Sequence, residues 1–125
     1  MAKILLAEDE EALRAMCARG LKIAGHDVAT AADGSEALDM LRRGDGQFDL
    51  LLTDIRMPIM DGIALALAAA RDFPDLTILL MTGYADQRER AHGLDALIHD
   101  VIAKPFTLAV LRGAVDEALA VRVRR

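Results

Sequence analysis

The chain has 125 residues, enough for one compact domain and short for two. Apolar residues make up 54% of it, which supplies a sizeable core and excludes a disordered chain. Lys and Arg number 15 against 20 Asp and Glu, a net charge of −5 that argues against non-specific binding of nucleic acid or anionic membrane.

"KILLA", Lys3 to Ala7, is a continuous apolar run of the kind that suits a strand buried on both faces. Leu13, Met16, Cys17, Leu21 and Ala24 then recur at helical spacing and predict an inward stripe, with Gly25 closing the helix. The single cysteine, Cys17, excludes an internal disulfide and reads as a buried, inert thiol. "DVATA", Asp27 to Ala31, is a second strand. Asp33 caps the next helix, with Glu36 three residues on. "LLLTD", Leu50 to Asp54, is a third strand, and it stops on a carboxylate. Asp61 and Gly62 open an Ala/Leu helix that runs to about Arg71. It carries no charge between those ends, so part of an apolar face is expected to meet solvent.

"LTILLMT", Leu76 to Thr82, is a fourth strand, and "ADQRERAHGL" a weak, polar helix. "DVIAKPF" carries a fifth strand that ends at Lys104-Pro105. Thr107 caps the last helix, with Leu108, Leu111, Val115 and Leu119 inward, and its terminal "VRVRR" reads as a solvated end that suits the helix dipole. No apolar run reaches the ~18–20 residues of a membrane span. The N-terminus lacks the form of a signal peptide. The expectation is a soluble, cytoplasmic chain.

Strand and helix alternate five times. Helical crossovers make strands parallel and place helices on both faces, so the fold class is α/β, a doubly wound five-stranded parallel sheet. The carboxyl ends of such strands share one edge, where ligands bind. That brings together Glu8 and Asp9 after the first strand, Asp54 at the end of the third, Thr82 at the end of the fourth and Lys104 after the fifth. Three carboxylates at one edge call for a cation. An all-oxygen ligand set favours Mg²⁺ or Mn²⁺ over zinc. A divalent cation, an ammonium and a hydroxyl together suit a phosphoryl group, with Asp54 as the nucleophile that forms an aspartyl phosphate. Taken singly, Glu8-Asp9 could be a helix N-terminal acidic cluster and Thr82 a turn residue. Their agreement at four separate strand ends carries the reading. His26, His92 and His99 share no metal-ligand spacing and are read as non-ligands.

"LLAEDE", "LLTDIRMPIMDG", "LLMTGYAD" and "VIAKPF" resemble, in order, the four signature segments of bacterial response-regulator receiver domains, the CheY-like fold, and the resemblance covers essentially the whole chain. It implies strand order 2-1-3-4-5 and a phosphoryl acceptor at Asp54. It implies a Mg²⁺ site built from Glu8, Asp9, Asp54 and the backbone carbonyl of Arg56. Thr82 becomes the switch hydroxyl and Lys104 the phosphate-binding lysine, with a Lys104-Pro105 bond that is often cis. The implied partners are a histidine kinase or histidine phosphotransfer protein and a downstream protein, with no nucleic acid and no membrane. The implied assembly is a monomer or a phosphorylation-dependent dimer. The activity is then self-catalysed phosphotransfer and autodephosphorylation rather than enzyme turnover.

The chain departs from the family where an aromatic switch residue is usual, three positions before the lysine: Val101 stands there. Tyr84, two after Thr82, is the nearest aromatic and the alternative gate, and Arg56 is placed to affect the lifetime of the acyl phosphate. With no output domain expected after the last helix, residues 1–125 read as a single stand-alone receiver. Among these it is similar to the CpdR type, which implies control of regulated proteolysis through ClpXP, although "VRVRR" departs from the usual small-residue ending. A phosphate-sink receiver is the other alternative. An aspartyl-phosphate phosphatase of the haloacid-dehalogenase type would need an acid two residues after Asp54, where Arg56 stands. A nucleotide-binding module would need a glycine-rich cradle that "AEDEEALR" does not supply.

Overall fold

A computed structural model of the chain describes residues 2–44, 47–83, 93–94 and 96–123. The elements in chain order are β1 (Lys3–Ala7), α1 (Glu11–Ile23), β2 (Asp27–Ala31), α2 (Gly34–Gly44), β3 (Leu50–Asp54), α3 (Gly62–Asp72), β4 (Thr77–Thr82), β5 (Asp100–Ala103) and α4 (Leu108–Val123). All strand pairings are parallel, in the order β2-β1-β3-β4-β5. Most of the polar helix expected over "ADQRERAHGL", and Tyr84 and His92 with it, lie outside the described residues, as do the last two residues of "VRVRR".

The apolar runs are continuous because both faces of the central strands are covered. Successive side chains alternate between two cores. Leu5, Leu51, Ile78 and Leu80 pack under Ala37, Leu38 and Leu41 of α2 and Leu65, Ala66 and Ala69 of α3. Ile4, Leu6, Leu50, Leu52, Leu79 and Met81 pack under Cys17, Ala18 and Leu21 of α1 and Leu111, Val115 and Ala118 of α4. Each fully buried leucine contributes roughly 1.5–3 kcal/mol, so the central strands fix the frame on which the polar edge is built.

Three helix starts follow their capping residues. The Glu36 N–H donates to Asp33 Oδ1 at 2.8 Å, the Ala64 N–H to Asp61 Oδ1 at 2.9 Å, and the Val110 N–H to Thr107 Oγ1 at 3.1 Å. The uncharged α3 does leave apolar surface in solvent, with Leu67 45% exposed. Two expectations fail. Leu108, expected inward at the start of α4, is 36% exposed, with its side chain lying against Gly20 of α1. Met16 is not on the inward stripe of α1 but 43% exposed. The helix seats on the sheet through Cys17, Ala18 and Leu21, and this turns Met16 to the flank.

The loop from β3 to α3 holds the only non-glycine residue at positive φ among the described residues, Ile59 at φ 70°. The Met60 N–H donates to the Pro58 carbonyl at 2.7 Å, closing a three-residue γ-turn around it. The loop is pinned from outside as well, because the Gly34 N–H donates to the Met60 carbonyl at 3.1 Å. A β-branched residue in this conformation is strained by ~1–2 kcal/mol, and glycine there loses ~0.5–1 kcal/mol of chain entropy. Ile59→Gly is therefore expected to stabilise the fold by about 0.5–1 kcal/mol in urea denaturation. A fall in stability would show that the 84% exposed isoleucine side chain contributes packing that outweighs the strain.

Candidate functional site

The site starts from a costly placement. β3 is buried along its whole length, and Asp54 at its end is only 6% exposed. A buried carboxylate is tolerated when it is paired and hydrogen-bonded. Both conditions are met: the Ile55 N–H donates to Asp54 Oδ1 at 2.9 Å, and Lys104 Nζ lies 3.2 Å from Oδ2.

Lys104 follows β5, two strands away from β3, and crosses the end of β4 to reach the site. Its backbone N–H donates to the Thr82 carbonyl at 2.7 Å, which fixes where its stem begins. The Lys104-Pro105 bond is cis, as the resemblance implies. The ammonium also donates to Glu8 Oε1 at 2.7 Å. Glu8 is 1% exposed, its Oε2 accepts the Glu10 N–H at 3.2 Å, and its backbone carbonyl accepts Arg14 Nη1 at 2.9 Å. One ammonium thus neutralises two buried carboxylates from different strands. Burial alone would lower the Lys104 pKa; the Glu8 hydrogen bond and the charges of Asp54 and Glu8 outweigh it and hold the ammonium above its ordinary value. Asp9 is exposed, and its pKa is raised by desolvation and by the neighbouring Glu8.

Glu8, Asp9 and Asp54 each offer an oxygen within 4.8 Å of the others, the one such cluster among the described residues. Carboxylate oxygens alone suit a hard divalent cation, so the donor set fits Mg²⁺ and not zinc. These residues open into a cleft of about 650 Å³. Arg56 and Lys104 also line it, and Leu13, Met16, Pro105 and Phe106 supply its apolar wall.

The structure therefore brings together Glu8, Asp9, Asp54, Arg56 and Lys104. Thr82 ends β4, 3% exposed, beside Ala103 in register. Val101 pairs with Leu80 and packs half-buried against the core under α2 and α3. The alternative gate, Tyr84, lies outside the described residues. Cys17 is buried with its pKa pushed up to about 11, chiefly by desolvation, which fits the inert thiol. His26 and His99 lie 4.0 Å from Asp116 and 3.6 Å from Glu117, away from the carboxylate cluster. Two features escape a sequence reading: the Arg14 contact to the Glu8 carbonyl, and the apolar wall. Arg14 is one helical turn beyond Glu10, and its side chain folding back to a strand end has no signature in the chain.

The response regulator receiver domain family matches residues 4–116 of the chain. The transcriptional regulatory protein PrrA of Mycobacterium bovis is 32% identical over 117 residues, covering 94% of this chain and 49% of that protein. A CheY-like receiver domain protein from Methanospirillum hungatei superposes with a TM-score of 0.90 at 27% identity, covering 99% of this chain and 98% of its own. The response regulator TrrA of Thermotoga maritima, in complex with Mg²⁺-BeF, superposes with a TM-score of 0.83 at 28% identity over 95% of this chain and 100% of its own. The chain spans about half the length, or less, of the curated relatives it matches. No helix among the described residues is long and apolar enough to cross a membrane.

Proposed function

The chain belongs to the response regulator receiver domain family, and from that premise we propose that Asp54 accepts a phosphoryl group from a phosphohistidine on a histidine kinase or phosphotransfer protein. Asp54 Oδ2 attacks phosphorus in line, the P–O bond forms, the P–N bond breaks, and the histidine leaves as the neutral imidazole once protonated. The observation that carries this reading is the pairing at Asp54: a carboxylate 6% exposed, 3.2 Å from an ammonium and within ligand reach of Glu8 and Asp9.

Glu8, Asp9, Asp54 and the Arg56 backbone carbonyl would hold Mg²⁺, and the Mg²⁺-BeF complex of the Thermotoga relative supports that assignment. Bound there, the ion neutralises charge on the phosphoryl oxygens. Lys104, already directed at Asp54 Oδ2, takes a further phosphoryl oxygen, and Thr82 closes on the third as the switch hydroxyl. The movement of Thr82 reshapes the surface around β5 and α4, which a partner protein reads. Water then hydrolyses the acyl phosphate, so the chemistry is self-catalysed transfer and loss with no separate substrate turned over.

Incubation with acetyl phosphate and Mg²⁺ followed by intact mass tests this. Wild type is expected to gain one phosphoryl group, Asp54→Asn none, and omission of Mg²⁺ is expected to remove the adduct. An adduct that persists on Asp54→Asn would place the acceptor elsewhere.

A further inference from the structure

The outer flank of α1 faces an open side of the sheet. β2 is an edge strand paired only with β1, so its outward backbone N–H and C=O groups have no strand partner among the described residues. Between β2 and α1 runs a groove of about 660 Å³, separate from the phosphoryl cleft. Its lining includes three cations, Arg14, Arg19 and Lys22, against one acid, Glu11. Arg19 and Lys22 are exposed and make no ion pair or side-chain hydrogen bond among the described residues. Beside them Ile23 is 73% exposed, and Thr30 of the edge strand closes the groove.

A local excess of positive charge on a chain of net charge −5 is a directional signal. We propose that this groove docks an acidic, extended protein segment. Such a segment adds to the β2 edge through its backbone, sets alternate carboxylates against Arg19 and Lys22, and lays an apolar residue on Ile23. An anionic membrane or nucleic-acid duplex would need a broad cationic face. Here Glu11 shares the groove with the cations, which limits the positive face to a narrow strip.

The test uses a fluorescein-labelled ten-residue peptide, Thr-Glu-Thr-Glu-Thr-Val-Thr-Glu-Thr-Glu, which carries its glutamates and its valine on one face of a strand, with fluorescence anisotropy on the full chain. Wild type is expected to bind, with affinity falling as salt rises. Arg19→Glu/Lys22→Glu is expected to weaken binding at least about tenfold, and Ile23→Ser to weaken it less. Backbone amide shifts are expected at residues 28–31. Unchanged circular dichroism and unchanged labelling by acetyl phosphate would show that the variants remain folded and chemically competent, whatever the fate of the groove. Four results would overturn the proposal: no binding to wild type; equal binding to the double variant; equal binding of a Lys/Val/Thr peptide; or tighter capture by anionic vesicles or duplex DNA.

Discussion

Lys104→Met is expected to unfold about 3 kcal/mol more readily than wild type at neutral pH in metal-free buffer, and to regain most of that loss when Mg²⁺ is added. The argument starts from burial. Glu8 is 1% and Asp54 6% exposed, and the same ammonium lies 2.7 Å from one and 3.2 Å from the other. Removing one partner of a buried ion pair costs ~3–5 kcal/mol because the remaining charge stays buried. The lower end applies, since Lys104 is 20% exposed and the cleft admits water. Methionine keeps the stem and its packing, so the loss isolates the charge. A divalent cation on the same carboxylates would contribute ~2.7 kcal/mol at a hundredfold excess over its Kd. The sign with pH follows from Lys104, whose folded pKa is raised above 10.5. Its contribution is complete below about pH 10.5 and is lost as pH rises through the folded value. The gap between variant and wild type should therefore stay flat from neutrality to about pH 10 and narrow above it. Urea denaturation across pH, with and without Mg²⁺, reads all three effects. A loss under about 1 kcal/mol in metal-free buffer would mean that water in the cleft, and not Lys104, compensates the two carboxylates.

That pairing marks the boundary of what the chain discloses on inspection. The five strands are legible because each is a short apolar run buried on both faces. Parallel order then places Glu8, Asp9, Asp54, Thr82 and Lys104 on one edge without further information. Which of them touch is not legible. Adjacent strands lie roughly 4.8 Å apart, so a residue after β5 starts about two spacings from β3 and one further from β1. Only the length of the lysine stem and the start fixed by the Thr82 carbonyl let a single ammonium reach both carboxylates. Met16 shows the same limit on a helix. Its spacing with Leu13 and Leu21 fits an inward stripe, but the rotation of α1 is set by the seats of Cys17, Ala18 and Leu21, and Met16 instead forms part of the cleft wall. The γ-turn at Ile59 has no signature at all, since nothing in "MPIMDG" marks an isoleucine for positive φ.

Gly62→Ala is expected to cost about 3 kcal/mol, at the upper end of the ~1–3 kcal/mol typical of overpacking. Its methyl would meet backbone and not a movable side chain. A Cβ at this position falls 2.0 Å from the Asp54 carbonyl oxygen, 2.8 Å from its carbon and 2.9 Å from Ile55 Cα. The Gly62 N–H donates to the Ile55 carbonyl at 2.7 Å, so the start of α3 is tied to the residues it would collide with. Relief requires the β3–α3 loop to open. Opening shifts the Asp54 backbone and disturbs the Ile55 N–H to Oδ1 bond that orients the carboxylate. Labelling by acetyl phosphate should therefore fall in the folded fraction too, beyond the loss explained by unfolding. Gly113→Ala supplies the contrast. That glycine is exposed in α4 with nothing within 4 Å of an added Cβ, so alanine there should stabilise the helix by ~0.5–1 kcal/mol and leave labelling unchanged. If both alanines left stability and labelling alike, the close approach of α3 to Asp54 would not be what holds the acceptor in place. A large loss at Gly62 alone would make that approach the reason a glycine must follow Asp61.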